Sequence, residues 1–70
     1  MGEEERRHLG AKLRRLRKAQ GWTQQELADR AGVEQKQVSR IELAEISPTV
    51  DTVAKLARAL GVPTSEMFTP

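Results

Sequence analysis

Between positions 35 and 40 the chain places Gln35, Lys36, Gln37, Ser39 and Arg40 around two apolar anchors, Val38 and Ile41. Those polar residues are not needed for a core, and their side chains are hydrogen-bonding groups of the kind that read base edges. A glutamine amide pairs both ways with adenine N6 and N7. A guanidinium or ammonium does the same with guanine O6 and N7, each good pair discriminating by about 1–3 kcal/mol. Lys36 and Arg40 stand at i, i+4, and Gln35 adjoins Lys36 at the helix start, so the three fall near one face. A solvated helix surface would have the same composition. What separates the two readings is the arrangement of elements around the segment.

That arrangement begins at Thr23. Thr23-Gln24-Gln25-Glu26 has the pattern of a capping box, with Trp22 and Leu27 at the positions of a hydrophobic staple. Leu27, Ala28 and Ala31 form the inward face of a short second helix that Gly32 closes. Val33 plugs the turn, and a third helix is expected from about Gln35 to Leu43. Two short helices joined around a glycine present the second of them to a DNA groove. Upstream, Leu9, Leu13, Leu16 and Ala19/Gln20 mark one face of a first helix from about Glu4 to Gln20, ended by Gly21. Gly10 weakens its start, so residues 1–8 are expected to fray and the ordered helix to begin nearer Leu9. Downstream, Ser47-Pro48-Thr49 breaks the chain and Thr49 recaps it. Val50, Val53, Leu56, Ala57 and Leu60 then form the apolar stripe of a fourth helix closed by Gly61, and residues 63–68 leave room for one further turn or two. The class is all-α, a single domain over residues 1–70.

Composition narrows the functions available. The chain has 70 residues, no cysteine and a net charge of +2, so a disulfide framework and a thiolate metal site are excluded. No run approaches the roughly 20 apolar residues of a membrane span, and the acidic start is not a secretory signal. A reducing, cytoplasmic setting is expected. Trp22 and Phe68 are the two aromatic residues, too few for a base-stacking platform. Residues 1–20 hold seven Lys or Arg against three acids, while residues 21–70 hold five against seven. The basic first segment suits a polyanion or a solvated face. His8 stands alone, Glu3 to Glu5 complement a helix dipole, and no residues form a metal cluster, a phosphate loop or a catalytic triad. No enzymatic activity, cofactor or small-molecule ligand is expected.

Several segments together resemble the phage-repressor and Cro type of helix-turn-helix domain, the XRE family. They are Leu13-Arg14-Arg15-Leu16-Arg17-Lys18, Gly21 through Ala28, Ala31-Gly32-Val33, Val38-Ser39-Arg40-Ile41-Glu42, Pro48 through Val53, and Leu56 through Val62. The resemblance covers about residues 9–68. It implies a five-helix, lambda-repressor-like domain that binds double-stranded operator DNA as a homodimer and regulates transcription, encoded by a bacterium or phage and associated with the nucleoid. Carried over by position, Gln35, Lys36 and Arg40 match base-reading residues, with Gln37 and Ser39 flanking them. Gln24 matches a phosphate-contacting glutamine, and a helix N-terminus is a sound place for an anion. Thr23, Arg14, Arg15 and Lys18 are further candidates for the phosphate backbone. Arg17 and Glu42 match a structural ion pair between the first helix and the end of the third.

Two features depart from that pattern. Glu34 stands where a Ser or Thr cap is usual and brings a negative charge toward phosphates. The loop Leu43-Ala44-Glu45-Ile46-Ser47 lacks the usual glycine and basic residues. Leu43 and Ile46 either contribute to a dimer contact or pack beneath the fourth helix, and Met67 and Phe68 are core or dimer-interface residues. The expected interface set is Ile46, Met67 and Phe68. A competing reading, favoured by the modest net charge and the acidic Glu34 and Glu45, makes the scaffold a protein-interaction module for a toxin or an RNA polymerase subunit. Under the DNA-binding reading, activation would instead have exposed acids on the second helix, such as Asp29, touch polymerase.

Overall fold

Local signals fix where each helix of the computed structural model, which describes residues 1–69, begins and ends. Helix α1 (Glu3–Ala19) has Glu3, Glu4 and Glu5 in its first turn and Arg17 and Lys18 in its last, charges that suit the dipole at both ends. Helix α2 (Gln24–Ala31) starts at the expected capping box. Thr23 Oγ1 accepts from the Glu26 N–H at 3.1 Å, and the Thr23 N–H donates to Glu26 Oε1 at 2.9 Å. Helix α3 spans Gln35–Glu42, and α4 (Val50–Leu60) is capped by Thr49, whose hydroxyl accepts from the Thr52 N–H. The last element of the described residues is a 3₁₀ turn over Thr64–Phe68.

Among the described residues the architecture is all-helical, with four α-helices rather than five. The segment expected to supply a fifth is a five-residue 3₁₀ turn, too short after Pro63 to close an α-helical ladder. The N-terminal segment expected to fray is helical from Glu3. Arg7 pairs with Glu3 one turn back at 3.2 Å, and Arg6 donates from Nε to the Ala44 carbonyl at 3.3 Å, which ties that turn to the loop after α3.

The core is built from Leu9, Leu13, Leu27, Ala28, Val38, Ile41, Val53, Leu56, Ala57, Leu60 and Met67. Helix α3 is packed between α1 and α2, α4 backs α2, and the 3₁₀ turn closes over α1 and α4. Val50, expected in the inward stripe of α4, is 72% exposed because it is the first helical residue and lies beyond the core's edge. Ala19 and Gln20 likewise face solvent at the end of α1. Met67, expected as an interface residue, is fully buried and offers no surface, whereas its neighbour Phe68 is 47% exposed. Ile46 is half-buried against the core, and Leu43, just past the end of α3, is 63% exposed.

Gly10 has a use that helix propensity does not disclose. A Cβ there would stand 2.4 Å from the Ile41 carbonyl oxygen and 2.9 Å from that of Glu42. Helix α1 therefore lies directly on the C-terminal turn of α3, a packing only a glycine permits. The turn that follows α3 is closed by Schellman-type bonds, Ala44 N–H to Ile41 O at 3.0 Å and Glu45 N–H to Arg40 O at 2.9 Å. Gly61 occupies the matching left-handed position after α4, but here Ala44 takes it, with φ of 61°.

Candidate nucleic-acid interface

Helix α3 lies on the surface with Val38 and Ile41 driven into the core, and its other side chains divide into a braced set and a free set. The braced set runs from the interior outward. Arg17 reaches from α1 to Glu42 with two parallel hydrogen bonds, Nε to Oε2 at 2.7 Å and Nη2 to Oε1 at 2.9 Å. Its Nη1 donates to the Trp22 carbonyl at 2.8 Å, so one guanidinium joins α1, the start of α2 and the end of α3. Both side chains are nearly inaccessible, at 10% and 4% exposure. The hydrogen bond to the Glu42 carboxylate raises the Arg17 pKa above its ordinary value, against the opposing effect of burial.

Glu42 also fixes the amides in front of it. A carboxylate only accepts, so Gln24 must turn its nitrogen toward Glu42, and Nε2 donates to Oε1 at 3.1 Å. That leaves the Gln24 oxygen facing Gln35, whose Nε2 donates to it at 2.7 Å. Gln35 is held in turn with its own oxygen and its second N–H unused by this chain of bonds. Those are the acceptor and donor that a bidentate contact with adenine requires. The alignment of Gln24 and Gln35 is thus a consequence of the charge on Glu42.

The free set is Lys36 and Arg40, both exposed and one turn apart, with no ion pair or side-chain hydrogen bond among the described residues. Gln37 is half-buried and leans toward α4, its amide 3.5 Å from Thr52 Oγ1. Ser39 is half-buried on α3. Thr23 spends its hydroxyl oxygen on capping α2 while remaining exposed beside Gln24.

The basic first segment is less free than its composition implies. Lys12 is 3% exposed and donates to Glu66 Oε2 at 3.2 Å and Thr69 Oγ1 at 3.4 Å, pinning the C-terminal turn to α1. Arg17 is structural, Arg6 is tied to Ala44, and Arg7 to Glu3. Arg14, Arg15 and Lys18 remain exposed without such partners. Arg14 and Lys18 continue the i, i+4 row from Gly10, the residue that touches α3, and Arg15 falls outside that row. His8 lies on α1 rather than in an arm, with Nε2 2.7 Å from the Thr69 carbonyl oxygen. In α2, Arg30 stacks over Trp22 with its guanidinium carbon 4.3 Å from the ring centroid.

A short capped helix, a glycine turn and a second short helix make up an arrangement shared with known proteins. The family profile described as "Helix-turn-helix" matches residues 13–67. The chain belongs to the XRE-type helix-turn-helix family. It is similar to the uncharacterised HTH-type transcriptional regulator y4dJ of Sinorhizobium fredii, 42% identical over 65 residues that cover 93% of this chain and 84% of that one. It is also similar to the HTH-type transcriptional regulator SutR of Escherichia coli, 41% identical over 64 residues, 91% of this chain but 36% of SutR. Among solved structures, a hypothetical transcription factor from Neisseria, NHTF, superposes with a TM-score of 0.91 at 31% identity, covering 100% of this chain and 82% of that one. The restriction-modification controller protein C.AhdI of Aeromonas hydrophila superposes at 0.89 with 31% identity, covering 93% and 98%. This helix-turn-helix domain is therefore close to the whole of some relatives and about a third of others.

Two parts of the surface escaped sequence reasoning. The amide relay through Gln24 needed side-chain geometry, although a Gln at the first position of both α2 and α3 was its trace in the sequence. The shallow depression that Glu34 shares with Lys36, Gln37, Arg40 and Ile46 left no such trace.

Proposed function

We propose that this chain is a sequence-specific, double-stranded DNA-binding regulator of transcription that acts as a homodimer on a near-palindromic operator. Helix α3 enters the major groove, where Gln35, Lys36 and Arg40 contact bases and Gln37 and Ser39 flank them. The observation that carries this reading is the relay from Arg17 through Glu42 and Gln24 to Gln35, which aims one amide outward beside two unpaired cations. Gln24, with one amide N–H still unused, and Thr23 hold phosphate at the N-terminus of α2. Arg14 and Lys18 hold the backbone alongside, and Arg15 acts at longer range. Phe68 and the half-buried Ile46 are the remaining candidates for a subunit contact, and two reading helices would then lie roughly 34 Å apart.

The relatives named as transcriptional regulators support the regulatory part of this reading. The test is a salt titration of binding to duplex DNA, followed by selection from a random duplex library. Log affinity should fall linearly with log salt, by about 0.9 per phosphate contacted, and the selected sites should be near-palindromes. Arg40→Ala should relax preference at one base pair, and Gln24→Ala should weaken all sequences and also relax preference at the base pair assigned to Gln35, whose amide it no longer orients. No duplex binding at low salt would refute the proposal. It would instead favour a protein-interaction module, for which the exposed Leu43 and Val50 are the natural contacts.

A further inference from the structure

Glu34 occupies the N-cap position of α3, yet its carboxylate accepts no hydrogen bond from the helix's first turn. Thr23 and Thr49, in the equivalent positions of α2 and α4, both do. The Glu34 side chain is exposed, and it lines a depression of about 370 Å³ with Lys36, Gln37, Arg40 and Ile46. Among the described residues neither Lys36 nor Arg40 pairs with it, although all three charges border the same opening. The surface around α3 thus holds an unused anion bordering the same opening as two unused cations.

A phosphate backbone cannot complement that pattern, because phosphate oxygens only accept and would repel Glu34. The major-groove edge of a G·C pair can. It offers guanine O6 and N7 as acceptors and the cytosine N4 amino group as donor, side by side. Resting on the DNA-binding reading above, we infer that Glu34 is a specificity-determining residue that accepts a hydrogen bond from cytosine N4. Lys36 or Arg40 then donates to guanine at the same or the adjacent step. The acid at this position selects for one base instead of merely opposing the polyanion.

The test compares wild type with Glu34→Ser and Glu34→Gln on operators taken from the random-library selection, each base pair of a half-site being varied in turn. Serine is a better cap and glutamate has no partner to lose, so both variants should fold, as far-UV circular dichroism would verify. Wild type should prefer cytosine at one position by between about fivefold and a hundredfold, the range of one good base contact. Glu34→Ser should erase that preference, leave the other positions unchanged, and bind random duplex more tightly because a negative charge is gone. Glu34→Gln, whose amide both donates and accepts, should tolerate adenine or cytosine there. A uniform gain in affinity with every base preference intact would overturn the inference, as would a wild-type preference for adenine that Glu34→Ser removes. Absence of any wild-type duplex binding at low salt would be a different result, refuting DNA recognition itself.

Discussion

Replacing Gly10 by alanine sets two effects of opposite sign against each other. Helix propensity favours the substitution, since glycine in a helix interior is about 1 kcal/mol worse than alanine. Packing opposes it. The new methyl would stand 2.4 Å from the Ile41 carbonyl oxygen and 2.9 Å from that of Glu42. Ordinary contact for a Cβ begins near 3.4 Å, so α1 and α3 would have to separate by about 1 Å at this point. The atoms in the way are backbone carbonyls, which cannot rotate aside as a flexible side chain could. Overpacking of this kind costs about 1–3 kcal/mol, and here it also acts on the Arg17–Glu42 bonds, which join the same two helices at 2.7 and 2.9 Å.

The packing term wins. Gly10→Ala should destabilise the domain by up to about 2 kcal/mol net, read as a lower urea midpoint with an unchanged slope. In a domain of this size the melting temperature falls by roughly 4–8 °C per kcal/mol. Ala11→Gly at the exposed neighbouring position is the control, and should lose about 1 kcal/mol from propensity alone. A Gly10→Ala variant as stable as wild type, or more so, would show that α1 does not press on the end of α3 as described.

Glu42→Ala leaves a buried guanidinium without its partner and should cost about 3–5 kcal/mol, whereas Arg17→Met with Glu42→Leu should recover most of that in chemical denaturation. The double variant should nonetheless lose preference at the base pair that Gln35 reads, because nothing then orients Gln24. Ala44→Gly relieves a left-handed residue and should raise stability by about 1 kcal/mol, measurable as a rise in melting temperature. The Glu26 carboxylate is held below its ordinary value by the Thr23 N–H and hydroxyl. Its contribution to folding is therefore present above about pH 4.5 and lost as the pH falls through its lowered value. The stability difference between wild type and Glu26→Gln should vanish in that acid range, and a difference that persisted there would refute the assignment.

What could be read from the sequence was whatever a local rule decides. Thr23, Glu26, Thr49, Gly21, Gly32 and Gly61 act within four or five residues of themselves, so the limits of α2 and the start of α4 emerged close to their observed places. Properties set by long-range approach did not. The extent of α1 depends on Arg6 meeting Ala44, 38 residues away. The burial of Lys12 depends on Glu66, and the need for Gly10 on carbonyls of α3. Met67 and Phe68 could not be separated as core and surface, because a 3₁₀ turn has a different period from the helices before it. In the candidate site, residue types were legible at Gln35, Lys36 and Arg40. Which of them is held and which is free was not.

That division bears on how the surface would discriminate. The direction of every hydrogen bond in the relay is set at its inner end: Glu42 only accepts, so Gln24 donates to it and accepts from Gln35. On the function proposed, Gln35 would therefore meet a duplex with much of its rotamer freedom already lost, and a mismatched base would confront an amide that cannot easily turn over. Lys36 and Arg40 have the opposite character. Each must give up roughly 2 kcal/mol of rotamer freedom to be fully fixed, and each can swing between a base edge and a phosphate. Under that proposal, stability and selectivity at Gln35 would share one cause, the buried Glu42 carboxylate paired with Arg17, while affinity drawn from Lys36 and Arg40 would be adjustable and sensitive to salt. A change at Glu42 should accordingly disturb the fold and one base preference together, and a change at Lys36 or Arg40 should alter binding without touching the melting curve.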